Sequence, residues 1–403
     1  MHYPVAGIVA EYNPFHNGHL YHIEQARRES SAEAVVVVLS SDFVQRGEPA
    51  MLDKYTRTEA ALACGADLVL ELPVLFSAHN AGVFANAAVD ILAASGIVTH
   101  IAFGAEDPNC LTDTLIDILL KESEPFKTLL KKHLKKGLSF VEARARAVNE
   151  ILPGSAKVLS GSNNTLALAY MKRIKEKNYP LIPLPIKRCG SGYNDKSLKE
   201  YASAAAIRRA IREGRVDKAL SEMPPASREI LRKALKNGLA YIDSTDYWRI
   251  LRTVLLRESP QSIARCAEIS EGIEYALRRA ALTSQTYEDW IDACTSKRYP
   301  AGRIRRAGFH ILLGTDHWTN RAAQRLGPPY IKVLGMNGIG QKVLHGMRAI
   351  STLPIVTTVG NASRVSAYAS EVSRFDSLAA ELREEILPGG RFGASHKKKV
   401  IIL

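Results

Sequence analysis

"GIVAEYNPFHNGHLYHIEQARRES", residues 7–30, places a Pro, three His and a Gly directly after a hydrophobic run and then begins a helical pattern. A buried strand needs none of these residues, so the turn is built to meet something. In an open α/β sheet, ligands bind beyond the carboxyl ends of the strands, where a helix start offers free N–H groups and a positive dipole end to phosphate. His16 and His19 flank Gly18, which removes a blocking side chain, and two imidazoles donate hydrogen bonds to a phosphate chain whose charge grows as a bond breaks. Two plainer readings stand beside this one: His16, His19 and His22 as ordinary polar helix-start residues, or His19 and His22 as metal ligands. Neither a GxGxxG fingerprint nor a Walker A loop occurs, which demotes redox cofactors and P-loop hydrolysis.

Working outward, "VAGIVA" (Val5 to Ala10) reads as a buried strand, "AVVVVLS" as a second, "DLVLELP" as a third and "VTHIAFG" as a fourth. Between them "DKYTRTEAALACG" and "NAGVFANAAVDILAASG" read as helices closed by Gly65 and Gly96. Continuous apolar strands alternating with helices predict a Rossmann-like parallel α/β sheet covered on both faces. A last strand is expected in "LIPLPIKR"; beyond about Arg215 the pattern turns helical and rich in Arg and Lys. The expected organisation is a catalytic α/β domain over residues 1–215 and a mostly helical, basic domain over 216–403. The Gly-rich, basic tail "PGGRFGASHKKKVIIL" reads as mobile or as a clamp on a partner.

Composition narrows the class of function. Apolar residues are 46% and charged residues 24%, ordinary for a globular protein with a sizeable core. Apolar runs such as "AVVVVL" fall far short of the roughly 20 residues a membrane span needs, so no membrane partner is expected. No signal-peptide pattern opens the chain, and five scattered cysteines, without a CxxC pair, suit reduced thiols in the cytoplasm. Of the net charge of +13, residues 1–100 hold 5 Lys or Arg against 11 Asp or Glu, so residues 101–403 carry +19. A polyanion larger than a nucleotide is a natural partner for that surface, with solubility alone as the bland alternative.

The opening stretch resembles the HxGH signature of the nucleotidylyltransferase superfamily, and further blocks sharpen the likeness. "AEYNPFHNGHLYHI", "SDFVQRGEPAMLDKYTRTEAALACGADLVLELP", "FGAE", "SGSNNTLALAY", "TSKRYPAGRIRRAGFHILLG" and "PPYIKVLGMN", in that order from about Ile8 to Asn337, resemble the tRNA(Met) cytidine acetate ligase family. That resemblance implies an ATP-dependent ligase that makes acetyl-adenylate and pyrophosphate from acetate and ATP, with Mg2+ accompanying the nucleotide. The acetyl group then passes to the wobble cytidine of elongator tRNA(Met), giving N4-acetylcytidine.

It also implies roles for residues. His16 and His19 hold phosphates in the transition state. The nucleotide floor is formed by Ile8, Val9 and Ala10 at the strand end, Glu11, Tyr12, Asn13, Pro14 and Phe15 in the turn, and Asn17, Gly18, Leu20 and Tyr21 in the helix. Gly104 lets the backbone pass close to adenosine, Asn163 and Asn164 bond nucleotide or acetate unless they only cap a helix, and Arg188 meets base or ribose. Asp42, Gln45 and Arg46 face the same site, Arg46 binding phosphate or acetate unless it is a surface ion pair. "SAAAIRRAI" is similar to the superfamily's second phosphate motif, with Ser203 and Arg208 matching and Ala204 and Ala205 departing from it.

For RNA, Lys297 and Arg298 in the KMSKS-like "TSKRYP" close over pyrophosphate or bind tRNA. Arg303, Arg305 and Arg306 track phosphates while Tyr299 offers a stacking face, unless these arginines only solvate a helix. Two other classes remain in view: an adenylyltransferase acting on a small-molecule acceptor, which leaves the +19 without a task, and a non-catalytic RNA-binding protein, which leaves His16 and His19 without one.

Overall fold

The computed structural model describes residues 3–155, 158–159, 162–188, 202–393 and 398–403, the side chains of Ser162 and Asn163 excepted. Cys189 and residues 394–397 of the basic tail lie outside the described residues.

The first four strands are β1 (Val5–Ala10), β2 (Ala34–Ser40), β3 (Leu68–Leu72) and β4 (His100–Ala105). β2 is buried at every position, which is why it reads as an unbroken apolar run. The fifth strand, β5 (Ile182–Lys187), lies beside β4, and the parallel order is β5-β4-β1-β2-β3. This is the expected Rossmann-like layout. Its chain reversal around β1 brings the ends of β1, β2 and β4 to one crevice.

The helices start where the sequence supplies caps. α1 (Asn17–Ser30) is capped by His16, α2 (Lys54–Ala63) by Asp53, and α4 (Ala81–Ala94) by Asn80; a single turn, α3 (Val74–Ser77), precedes α4. α1 and α2 cover one face of the sheet, over a core that includes Ile8, Val35, Val37 and Leu39. α4 and helix Ser162–Lys177 pair on the other face, where one core runs from Val5 to Ile386.

Strands do not end at residue 215. β6 (Ile331–Met336) lies antiparallel to β3, and β7 (Ile355–Val356) and β8 (Ile401–Ile402) run parallel to β6. The helical half therefore contributes to the catalytic sheet and to its core. The strand "YIKVLGM" is masked in the sequence by Lys332, whose ammonium is buried and meets the equally buried Glu71 of β3 at 2.7 Å. The end of the basic tail is docked on the sheet: Ile401 and Ile402 pair with Gly335 and Met336, and Lys398 meets Asp53 at 2.8 Å. Among the described residues no helix is long and apolar enough to cross a membrane.

Candidate active site

The ends of β1, β2, β4 and β5 open onto one cavity of 530 Å³. Gly104 and Arg188 wall the side of β4 and β5, His16 and His19 sit at the centre, and Gln45 and Arg46 wall the side of β2.

The two histidines are fixed by their own helix start. The Gly18 N–H donates to His16 Nδ1 at 3.0 Å, and the His16 N–H donates to His19 Nδ1 at 3.3 Å, a capping box made of imidazoles. With Nδ1 accepting in both rings, a neutral imidazole carries its proton on Nε2. Both rings are held neutral: burial, then the Arg188 guanidinium, pushes His16 down to about 4, and burial, then its His16 and His22 neighbours, holds His19 well below the usual imidazole range. The site thus presents two neutral Nε2–H donors in stacked rings whose centroids are 3.7 Å apart.

The backbone of α1 is spent differently from the sequence expectation. The Asn17 N–H donates to the carbonyl of Glu222 at 3.1 Å and the Gly18 N–H is taken by His16, so the imidazoles, not these amides, face the cavity as donors.

Of the floor segment, Val9, Ala10, Glu11, Tyr12, Gly18 and Tyr21 also line the cavity. Ile8, Asn13, Pro14 and Phe15 turn into the interior, where the Asn13 side-chain oxygen accepts from the Met51 N–H at 2.7 Å. Tyr12 has a φ of +46°, a left-handed conformation that costs a non-glycine residue on the order of 1 kcal/mol. Two contacts hold the turn there: Tyr12 packs edge-on against His19 with centroids 4.9 Å apart, and buried Arg57 donates to the Glu11 carbonyl at 2.7 Å.

Arg57 is the residue the sequence reading missed. Its guanidinium also donates to the carbonyls of Leu52 and Ser41 and to the Ser40 hydroxyl, at 2.5–3.0 Å, so one buried cation ties the ends of β1 and β2 together. Burial pushes it down to about 10. The only signal was a cation inside a helix with Ala60 and Ala61, small and apolar, one turn further along its face.

Other expected residues divide. Arg46 is exposed on the cavity wall and, among the described residues, makes no ion pair. It directly precedes Gly47, where φ is +77° and an added Cβ would lie 2.8 Å from the Arg306 Cα. Asp42 is instead buried, accepting from the Lys54 N–H at 2.9 Å and lying 3.3 Å from Lys54 Nζ, so its carboxylate is occupied away from the cavity. Asn164 is buried and accepts from the Glu106 N–H at 3.2 Å, tethering its helix to the end of β4 rather than facing a ligand. The side chain of Asn163 lies outside the described residues. Ser203 lines the cavity and caps helix Ala204–Arg212, while Arg208 donates to the Asn13 carbonyl at 2.6 Å and so braces the floor from beneath.

The arginine run is tied to carboxylates. Arg303 and Arg306 both reach Glu268, at 3.6 and 3.3 Å, and Arg305 meets Glu48 at 2.8 Å. Tyr299 is buried, with the Arg303 guanidinium 4.3 Å above its ring, so it offers no free stacking face. These residues weld helix Ala301–Leu313 to the loop that carries Arg46. Lys297 and Arg298 remain exposed, Arg298 pairing with Glu271, and neither lines the nucleotide cavity. Among the described residues no group of three or more His, Cys, Asp or Glu could hold a metal ion, and Glu11 is the one carboxylate on the cavity wall.

A paired-imidazole helix start at the carboxyl end of β1, facing a nucleotide-sized crevice, defines a nucleotidyl transferase of the HIGH type. Residues 3–388 match the family model described as HIGH Nucleotidyl Transferase. Among curated relatives, the tRNA(Met) cytidine acetate ligase of Syntrophomonas wolfei is 39% identical over 357 residues, covering 87% of this chain and 86% of that protein. The same-named enzyme of Acetivibrio thermocellus is 36% identical over 362 residues, covering 87% of each. The crystal structure of Thermotoga maritima TmcAL superposes with a TM-score of 0.93 at 30% identity over 99% of both chains. A second form of that protein, bound with alpha-thio ATP, gives 0.90. The chain belongs to the tRNA(Met) cytidine acetate ligase family.

Proposed function

We propose that this protein joins acetate to the wobble cytidine of elongator tRNA(Met) at the expense of ATP, in the cytoplasm. The observation that carries the reading is the pair of neutral imidazoles presenting Nε2–H into a 530 Å³ cavity. In the first step an acetate oxygen attacks the α-phosphorus, the bond to pyrophosphate breaks, and acetyl-adenylate forms. Catalysis there is positioning plus stabilisation of charge that moves onto the phosphate oxygens, and fixed neutral donors supply it without reorganising. Arg46, on the wall with no ion pair, supplies a cation for acetate or phosphate; Gly104 and Arg188 receive the adenosine. Mg2+ arrives as part of Mg·ATP: among the described residues the cavity wall offers one carboxylate, Glu11, and no cage.

In the second step the cytidine N4 attacks the acetyl carbonyl, AMP leaves with the electron pair of the broken C–O bond, and the amine gives up a proton. Residues 216–403, basic and partly exposed at Lys297 and Arg298, supply a surface for the tRNA. The test is incubation of the protein with ATP, magnesium, labelled acetate and unmodified elongator tRNA(Met), followed by nucleoside analysis. N4-acetylcytidine that requires ATP is the expected product. Acetyl-adenylate with no modified RNA would overturn the acceptor, and neither product would return the site to adenylyl transfer onto a small molecule.

A further inference from the structure

A second cavity adjoins the nucleotide site. It encloses 310 Å³ between α4 and helix Ser162–Lys177, roofed by helix Phe140–Ile151, and shares Ala81 and Thr165 with the nucleotide cavity. The two cavities therefore meet at Ala81 and Thr165.

Two features of the groove point to its occupant. Phe140 and Val141 are 59% and 69% exposed, an aromatic and an aliphatic side chain left in water on the roof. Arg144 and Lys172 line the groove together with Glu176, whose carboxylate is held by Arg173 at 3.0 Å, and among the described residues neither Arg144 nor Lys172 is in an ion pair. Three neighbouring cations are neutralised: Arg146 pairs with Glu142, Arg173 with Asp90, and Lys175 with Asp117. An aromatic face and two cations outside the ion pairs described, in a groove that adjoins a reactive centre, match an unstacked nucleotide: base on the ring, phosphates on the cations.

Resting on the acetate-ligase reading, we propose that this groove seats the single-stranded segment of the acceptor RNA, with a base on Phe140 and phosphates on Arg144 and Lys172, and so delivers the cytidine amine to the mouth at Ala81 and Thr165. It separates the two half-reactions in space. ATP and acetate react on the sheet-end floor, and the RNA enters along the helices of one flank. None of the three groove residues touches the nucleotide cavity, so the first half-reaction does not need them.

The experiment compares wild type with Phe140→Ala and with Arg144→Ala plus Lys172→Ala in two assays on the full chain. The first is acetate-dependent ATP–pyrophosphate exchange without RNA; the second is equilibrium binding of elongator tRNA(Met) across a salt series. Exchange is expected to stay within twofold for both variants. Phe140→Ala is expected to weaken tRNA binding about 5- to 150-fold, the range for loss of one stacked base. The double variant is expected to lower the slope of log affinity against log salt by about 1.4, for two single-strand phosphates. Unchanged tRNA affinity and slope would overturn the proposal, and exchange falling with the variants would reassign the groove to the first half-reaction. Wild type that fails to bind tRNA at all would sink both the groove proposal and the acceptor; wild type that binds tRNA without acetylating it would fail the acetate-ligase reading alone, and the groove variants would still decide the inference.

Discussion

His16 and His19 cap the same helix for one another: the His16 N–H donates to His19 Nδ1 at 3.3 Å while the rings stack 3.7 Å apart. Each ring thus does two jobs, holding the helix start through Nδ1 and facing the cavity through Nε2. His19→Ala is therefore expected to reduce acetate-dependent pyrophosphate release on the order of 10²–10³-fold, as for loss of one fixed transition-state donor. The lost cap should cost about 1 kcal/mol of stability. Affinity for tRNA should not change, and a parallel loss of tRNA binding would break the separation of roles.

The same burial fixes a pH signature. His16 and His22 are pushed down to about 4, and His19 and His310 are held well below the usual range, in each case chiefly by burial. These groups stay neutral in the folded state while their unfolded counterparts protonate near 6.5. Their contribution to stability is complete above pH 6.5 and is lost as pH falls from there toward 4, by about 1.4 kcal/mol per pH unit for each such histidine. Urea midpoints measured between pH 7 and pH 5 should fall accordingly, before most carboxylates titrate. Pyrophosphate release, by contrast, should show no limb near 6.5.

Asp376 has the opposite sign. Burial, then the Glu71 carboxylate, raises it to about 7. It accepts from the Val74 N–H at 2.6 Å and from the Tyr330 hydroxyl at 3.3 Å; in an amide of the same shape Oδ1 still accepts from Val74, and Nδ2 donates to the Tyr330 oxygen instead. A raised acid contributes stability below its unfolded pKa and loses it as pH climbs through the folded value. Asp376→Asn is thus expected to raise the urea midpoint at pH 8 and to leave it nearly unchanged at pH 4; a lower midpoint at pH 8 would show that the charged form is the one the core wants.

How much of this was legible follows from which residues carried more than one meaning. The five parallel strands and the closing glycines Gly65 and Gly96 were readable, because apolar continuity and a glycine just past a helix have few other uses. β6 was not, because its Lys332 is neutralised by Glu71, a residue more than 250 positions away. Of the cavity residues, His16 and His19 were found from their place at the helix start after β1, and Gly104, Arg46 and Arg188 from the family resemblance. Asp42 and Asn164, carried over by the resemblance, and Arg303, Arg305 and Arg306, read as a phosphate-tracking run, serve as internal ties, since sequence shows a polar group but not whether a partner has already taken it.

Arg57 shows the converse, a structural cation that sets up the site. It is 1% exposed, and its four hydrogen bonds end on Glu11, Ser40, Ser41 and Leu52. Removing it leaves buried acceptors unpaired, so Arg57→Ala is expected to cost about 3–5 kcal/mol and Arg57→Lys less, since an ammonium keeps the charge but not the planar fork. In the Lys variant the KM for ATP should rise more than kcat falls, because the turn at Tyr12 loses its anchor before the imidazoles lose their protons. A change confined to stability, with ATP kinetics intact, would remove Arg57 from the positioning of the site.

The arginine run and the KMSKS-like loop make a contrast that one salt series resolves. Arg306 is 14% exposed at its side chain and shares Glu268 with Arg303, so Arg306→Ala leaves a partly buried carboxylate short of a partner. That variant is expected to lower thermal stability and leave the salt dependence of tRNA binding as it was. Lys297 and Arg298 are exposed, and Arg298 gives up only a surface pair with Glu271. Lys297→Ala with Arg298→Ala should keep the melting temperature and lower the slope of log affinity against log salt by about 1.4 to 1.8. The reverse pattern, a reduced slope for Arg306→Ala and none for the loop pair, would move the RNA onto helix Ala301–Leu313 and require Glu268 to release its arginines when the tRNA binds.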